Sequence, residues 1–161
     1  LENYFTIIDG KTAVLFAAAL EGVALLSGAP GAQRRALRAF GMLYGRAFQM
    51  QDDYLDLLGD AATLGKPVGG DLREGKATFA VLELLGAGVE EARAILRRHA
   101  AQAGDTERMI ALVKAHGADE RAQDEIRGAA RGALEALGVF AASPEKRVLE
   151  GLAERELART A

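Results

Sequence analysis

Apolar residues recur along this chain with the spacing of α-helices, and no run alternates apolar and polar residues as a β-strand does. The pattern predicts a first helix over residues 2–27, ended by Gly28 and Pro30. A second helix is predicted over residues 32–58, and a third over residues 76–85 after a glycine-rich connection. The sequence therefore predicts an all-α fold.

The rest of the chain predicts three or four shorter amphipathic helices, with breaks near Gly104, Gly117 and Ser143. Ser143 precedes Pro144 as a helix N-cap precedes the first helical residue. Charges in this half, including those of residues 90–98, are expected on solvated helix faces. The helices up to residue 85 are instead apolar on most sides, so other protein should cover them.

Composition restricts the class of protein. The 161 residues, 50% of them apolar, suffice for one domain or for part of a larger one. A net charge of −3 gives no reason to expect nucleic-acid binding, and the absence of cysteine fits a cytoplasmic protein. The apolar run of residues 13–27 is too short to cross a membrane. Because the chain begins at Leu1 and enters a helical pattern at once, we expect further residues upstream.

Acidic residues close the second predicted helix, where they are electrostatically unfavourable. Asp52, Asp53 and Asp56 lie near its C-terminus, and Asp60 follows. Each acid there opposes the helix dipole by roughly 0.3–1 kcal/mol, and spacings of three and four residues place like charges on one face. Carboxylate oxygens so arranged suit Mg²⁺, which shares its coordination shell with water and phosphate. The alternative is a solvated helix end.

Lysines and glycines accompany these acids. Only five of the 20 cationic residues are lysines, and three of them are Lys11, Lys66 and Lys76. Lysine binds phosphate as a compact charge, and the glycines of residues 65–75 would let backbone N–H groups approach one. Asp71 would add an oxygen near the metal. Lys11 is either a lysine that reaches solvent or a buried cation that awaits an anion.

Three blocks of the sequence resemble the trans-isoprenyl diphosphate synthases of the polyprenyl synthetase family. Residues 4–16, centred on Gly-Lys-Thr, are similar to the helix whose Lys-Thr pair contacts the allylic diphosphate. Residues 48–56 (FQMQDDYLD) and residues 59–78, with GKP and GDLREGKAT, are similar to the family's second aspartate-rich region. Beyond residue 78 only the helical pattern is similar.

The resemblance implies an antiparallel helical bundle of the isoprenoid synthase type. It also implies an enzyme that elongates an allylic diphosphate with isopentenyl diphosphate, giving a farnesyl, geranylgeranyl or longer product. Members carry another D-D-x-x-D upstream, which this sequence lacks. Residues 1–161 are therefore expected to be the C-terminal part of a single helical domain, without the N-terminal part and inactive alone.

The resemblance also assigns Mg²⁺ ligands. Asp52 would coordinate the ion directly, whereas Asp56 and Asp71 would reach it directly or through water. The same assignment extends to Asp53.

Substrate-binding roles follow from the same resemblance. Thr12 and Gln49 would face the allylic cation, and Phe48 would lie near the isopentenyl group. Diphosphate oxygens would be held by three lysines: Lys11, Lys66 and Lys76. The residues expected to act in catalysis are Lys11, Thr12, Gln49, Asp52 and Lys66.

Other readings of the sequence remain open. One is a non-catalytic regulatory subunit of a heteromeric prenyl synthase, although such a subunit could lose carboxylates that this chain retains. Another is a plain helical scaffold with an incidental acidic patch. The Gly-Lys-Pro and Asp-Leu-Arg-Glu-Gly-Lys sequences favour chain elongation over the related terpene cyclases. No catalytic or metal role is expected for His99 or His116.

The apolar first helices also predict self-association. Complete members of the family are commonly homodimers, and half of a bundle should expose an apolar patch larger than a soluble monomer normally shows. The contact would form either through the native dimer surface or by burial of the cavity wall that half a bundle leaves uncovered. In either case four small residues would allow close helix contact: Ala17, Ala18, Ala19 and Gly22.

Overall fold

The computed structural model describes residues 1–60, 65 and 67–159, and every regular element in these ranges is helical, which confirms the all-α prediction. Among them, no helix has both the length and the apolar character needed to cross a bilayer. In chain order the elements are α1 (Glu2–Ile8), a π-helical segment (Asp9–Ala13), α2 (Val14–Leu26), α3 (Gly31–Leu58), α4 (Gly70–Arg73), α5 (Phe79–Gly86), α6 (Glu90–Arg97), α7 (Asp105–Ala115), α8 (Ala118–Ala136), a 3-10 turn (Leu137–Val139) and α9 (Pro144–Ala158).

The helix boundaries agree with the sequence pattern in α3 and differ elsewhere. The predicted first helix is interrupted by the π-helical segment, which separates α1 from α2. The third predicted helix starts later, at Phe79, because Thr78 has an extended backbone with ψ of 173°. The short helix α4 lies where the glycine-rich sequence predicts a loop. At α9 the predicted N-cap is confirmed, since the Ser143 hydroxyl accepts a hydrogen bond from the Lys146 amide.

The chain divides into two compact units, and one of them comprises Leu1 and Asp52–Asp124. Its core is apolar, and its most deeply buried large side chains are Val81, Leu84, Ile95, Met109 and Val113. Arg98 is predicted on a solvated face, but it donates to the buried carboxylate of Asp105 with an Nε–Oδ2 distance of 2.8 Å. A buried carboxylate needs such a partner, which the helix periodicity does not reveal.

The second unit comprises Glu2–Gln51 and Glu125–Ala161, and aromatic rings fill much of its core. The rings of Phe40 and Tyr44 stack with their centroids 5.8 Å apart. Phe16 contacts Tyr44 edge-on at 5.1 Å, so α2 and α3 are joined by ring packing. Aromatic pairs of this kind stabilise a core by about 0.5–1.5 kcal/mol beyond the burial of their area.

Glycines of α3 let α2 approach its backbone closely. A Cβ atom on Gly41 would lie 2.5 Å from Ala17 Cα, and one on Gly45 would lie 2.6 Å from Ala13 Cα. The residue number rises from Gly41 to Gly45 in α3 while that of the partner falls from Ala17 to Ala13, so the two stretches of chain are antiparallel. Gly41 and Gly45 are one helical turn apart, so a stripe of small residues brings the π-helical segment and α2 against α3.

Replacing Gly41 with alanine should therefore destabilise the protein. Alanine favours a helix over glycine by about 1 kcal/mol, but its Cβ would meet backbone atoms of Ala17, which no side-chain rotation can relieve. We expect a net loss of about 1–3 kcal/mol in the free energy of unfolding, measured by urea denaturation. Gly128→Ala is the matched control, because Gly128 is an exposed residue of α8 with open space at its Cβ position. Equal effects of the two variants would contradict the close packing.

Candidate functional site

The π-helical segment is held against α3 by two polar contacts. The Thr12 hydroxyl donates to Gln49 Oε1 at 2.7 Å. Arg46 donates to both carboxylate oxygens of Asp9, with an Nε–Oδ1 distance of 3.0 Å. The hydrogen bond to Asp9 raises the pKa of Arg46 above its ordinary value, so the guanidinium stays charged. The structure thus brings the predicted substrate-binding residues Thr12 and Gln49 into direct contact.

Lys11 lies within the same π-helical segment, and its side chain is exposed. Within the described part of the chain its ammonium group makes no hydrogen bond or ion pair. In the 161-residue chain Lys11 is therefore an exposed lysine and not a buried cation. An exposed ammonium next to a fixed threonine and glutamine remains accessible to an anionic ligand.

Phe48 belongs to the aromatic cluster of its unit. Its ring centroid lies 5.7 Å from that of Phe16 and 6.2 Å from that of Tyr44. The side chain is half-buried, so part of its surface is accessible while the rest packs in the core. Contact with an isopentenyl group stays a prediction.

Asp56 connects the end of α3 to α4. Its Oδ2 atom accepts a hydrogen bond from the Asp71 amide at 2.8 Å, and its carbonyl oxygen accepts one from the Gly69 amide. Gly69 has a φ of +82°, which favours glycine, and a Cβ on Gly70 would lie only 3.0 Å from Asp56 Oδ1. One of the crowded acids of α3, Asp56, therefore has a neutral N–H partner for its carboxylate. This contact also fixes Asp71 close to Asp56.

Lys76 forms ion pairs at the end of the same turn. Its Nζ atom lies 3.1 Å from Asp71 Oδ1 and 2.6 Å from Glu74 Oε2. Hydrogen bonds to Glu74 and then to Asp71 raise the pKa of Lys76 above its ordinary value. The side chain is 56% exposed, so these pairs are solvent-screened and weak. A diphosphate would have to compete with Asp71 and Glu74 for this ammonium.

The predicted metal ligands are only partly assembled. Asp52 is exposed and Asp53 is half-buried, both near the end of α3. Over the residues that the structure describes, no group of three or more acidic or histidine side chains forms a site ready to hold a metal ion. Lys66 lies outside the described residues. The donors nevertheless suit Mg²⁺, because carboxylate oxygens supply part of a shell that water and phosphate complete.

His99 contacts this turn, although its sequence context predicts no role. Its Nδ1 atom lies 3.3 Å from the Arg73 carbonyl oxygen, and a Cβ on Gly75 would lie 2.5 Å from the ring. His99 and Ala100 have φ values of +56° and +47°, in the left-handed region that non-glycine residues seldom occupy. No sequence signal marks such a conformation, since glycine is the usual residue there.

Known proteins are similar in sequence to nearly the whole chain. A family model described as "Polyprenyl synthetase" matches residues 1–115. The all-trans-nonaprenyl-diphosphate synthase (geranyl-diphosphate specific) of Rhodobacter capsulatus is 39% identical over 158 residues, which cover 97% of this chain and 48% of the relative.

Solved structures resemble the chain over nearly its full length. A decaprenyl diphosphate synthase from Rhodobacter capsulatus has a TM-score of 0.90 and 34% identity, covering 99% of this chain and 50% of that one. A polyprenyl synthase from Caulobacter crescentus CB15, complexed with calcium and isoprenyl diphosphate, has a TM-score of 0.86 and 37% identity. The match with the Caulobacter crescentus structure covers 98% of this chain and 49% of that one. The chain spans about half the length of the curated relatives it matches.

Proposed function

This chain belongs to the polyprenyl synthetase family, and from that premise we propose that it forms the C-terminal part of a trans-prenyl diphosphate synthase. Residues 1–161 would belong to a single isoprenoid synthase domain whose N-terminal part carries the first aspartate-rich motif. The observation that supports this best is the hydrogen bond between Thr12 and Gln49. It joins one residue from each of two blocks that resemble the family, and these two residues are 37 positions apart in the chain.

The proposed reaction elongates an allylic diphosphate with isopentenyl diphosphate. The allylic C–O bond breaks and the diphosphate leaves with the electron pair. The double bond of isopentenyl diphosphate then attacks the allylic cation, and loss of a proton restores a double bond. Negative charge develops on the leaving group, so fixed cations that face it would lower the barrier. Lys11, Lys66 and Lys76 are the residues proposed for this task.

Thr12 and Gln49 are suited to face the positive charge. Because the Thr12 hydrogen is directed at Gln49 Oε1, the Thr12 oxygen presents lone pairs to its other surroundings. An oxygen held in this way would present partial negative charge to the allylic cation. The contact would therefore orient both side chains before the substrate binds.

Asp52, Asp53, Asp56 and Asp71 are the residues proposed to hold Mg²⁺, directly or through water. When bound, Mg²⁺ supplies Lewis-acid stabilisation of the leaving diphosphate. The contact between Asp56 and the Asp71 amide keeps two of these carboxylates on neighbouring backbone. The complex of the Caulobacter crescentus relative with calcium and isoprenyl diphosphate supports a divalent-metal requirement.

An assay of the full-length protein tests this function. Radiolabelled isopentenyl diphosphate, geranyl diphosphate and Mg²⁺ should give a labelled polyprenyl diphosphate, and EDTA should abolish its formation. A protein that forms no product alone but changes the activity of a partner synthase would instead be the regulatory subunit.

We also propose that the chain self-associates, as a homodimer in the complete protein. Several large apolar side chains of α1 and α2 are exposed: Ile7, Val14, Leu15, Val23, Leu25 and Leu26. Ala17 cannot line the contact, contrary to the sequence-based expectation, because it is fully buried against Gly41. Ala18 and Ala19 are exposed and Gly22 has open space at its Cβ position, so these three remain available.

Light scattering on the 161-residue chain should therefore report a mass above that of a monomer at micromolar concentration. Replacing Leu15 and Val23 with lysine should shift the chain towards monomer, since charges would be buried in the contact. Lys substitutions at exposed Ala111 and Ala115 of α7 serve as the control. A stable monomer of the unmodified chain would contradict this prediction.

A further inference from the structure

The polar contacts between the π-helical segment and α3 do not join the residues that the backbone packing places opposite each other. The close backbone pairs are Ala13 with Gly45 and Ala17 with Gly41. Continuing that antiparallel register places Asp9 level with Gln49, and Thr12 level with residue 46. The observed partners are exchanged: Asp9 contacts Arg46, and Thr12 contacts Gln49.

Two contacts that slant in opposite directions, Asp9–Arg46 and Thr12–Gln49, fix the position of the segment along the axis of α3. One contact reaches towards the N-terminus of α3 and the other towards its C-terminus. If the segment slides along α3 in one direction, it stretches one contact, and the opposite slide stretches the other. Two contacts tilted in the same direction would both be stretched by only one of these displacements.

The Asp9–Arg46 pair is built for such a role. Both carboxylate oxygens accept hydrogen bonds from the guanidinium, a bidentate geometry that fixes orientation as well as distance. The Arg46 guanidinium also lies over the Phe5 ring, 5.1 Å from its centroid. The exposed fractions of the Arg46 and Asp9 side chains are 35% and 23%, so the pair is partly shielded from water.

The backbone of the segment needs such support, because a π-helical turn is less favourable than an α-helical one and persists where tertiary contacts maintain it. Reversion to an α-helix would change the hydrogen-bond register by one residue. That shift would rotate the side chains that follow the segment by about 100° about the helix axis, relative to the side chains that precede it. Lys11 and Thr12 lie within this segment, so their directions depend on its register.

We propose that Asp9 and Arg46 are positioning residues that hold the π-helical segment in register and thereby set where Lys11 and Thr12 meet an allylic diphosphate. This inference rests on the proposed prenyl transfer. Neither residue needs to touch a substrate. The pair acts through the segment, with Phe5 and Gln49 as the other fixed points.

Steady-state kinetics of Asp9→Asn and Arg46→Gln in the full-length protein test the proposal. The kcat/KM for the allylic diphosphate should fall about 10- to 100-fold, as expected when a binding group is misplaced by the order of 1 Å. The KM for isopentenyl diphosphate should change less than about twofold. The double variant should lose no more than the single ones, because each single change already breaks the same contact.

Glu21→Gln is the matched control. It breaks the 2.8 Å ion pair between Glu21 of α2 and Arg38 of α3, which joins the same two helices away from the π-helical segment. This variant should keep the wild-type kinetics. In addition, hydrogen exchange of the amides of residues 9–13 should speed up in Asp9→Asn and not in Glu21→Gln.

The outcomes separate the two claims. The positioning role is overturned if the wild-type protein is active and Asp9→Asn matches Glu21→Gln in kinetics and hydrogen exchange. It is equally overturned if both substrates are affected alike, in proportion to a lowered melting temperature. A wild-type protein that forms no product overturns the proposed function itself, and this inference with it.

Discussion

Replacing Asp52 with alanine in the full-length protein should lower kcat by two orders of magnitude or more. Asp52 is exposed near the end of α3 and is proposed to coordinate Mg²⁺ directly. Removal of one group that stabilises a developing charge commonly costs on the order of 10²–10³-fold in kcat. Because the side chain is exposed, the fold should tolerate the change. Initial rates of radiolabelled isopentenyl incorporation, with a melting curve for each variant, measure both effects.

Two lysine variants complete this experiment. Lys66→Ala should weaken binding of the diphosphate or stabilisation of its leaving charge, so kcat/KM should fall. Lys114→Ala should do little, since Lys114 is an exposed residue of α7 outside every motif. Equal behaviour of Asp52→Ala, Lys66→Ala and Lys114→Ala would show that the assigned site is wrong.

The 161 residues alone should not condense isopentenyl diphosphate with any allylic diphosphate. The sequence contains one D-D-x-x-D, whereas the family resemblance implies a second, upstream one that would hold further metal ions around the diphosphate. A single set of carboxylates leaves the leaving group without most of its charge stabilisation. The loss should be complete at the sensitivity of a radiolabel assay, with the full-length protein as the positive control.

Addition of the upstream region as a separate chain provides a further check. It should restore some activity if the two parts fold together, because the second aspartate-rich motif is intact in this chain. Product formed by the purified 161 residues, with the upstream region verified absent, would contradict the half-site account.

The long helix α3 and the fold class are predictable from sequence because both depend on local periodicity. The acids near the end of α3 are equally visible, since their unfavourable position does not depend on the rest of the fold. The alignment of Thr12 with Gln49 follows only from the family resemblance. No local pattern states that residues 37 positions apart are in contact.

The features that the sequence did not predict depend on tertiary contacts. The π-helical segment is held by Asp9–Arg46 and Thr12–Gln49, and its residues alone favour an ordinary helix. The helix α4 is only four residues long, and the Asp56 carboxylate stabilises it from 15 residues upstream. In both cases a side chain of α3 determines the local backbone.

The position of the bound metal ion is the sharpest test of the proposed diphosphate site. Crystals of the full-length protein should be grown with Mn²⁺ in place of Mg²⁺ and with inorganic diphosphate, and the anomalous signal of Mn²⁺ should be mapped. We expect a metal ion that is ligated by Asp52 and shared with a diphosphate oxygen, and that Asp56 and Asp71 contact directly or through water. Ordered Mn²⁺ and diphosphate at another place, with no metal near Asp52, would contradict it.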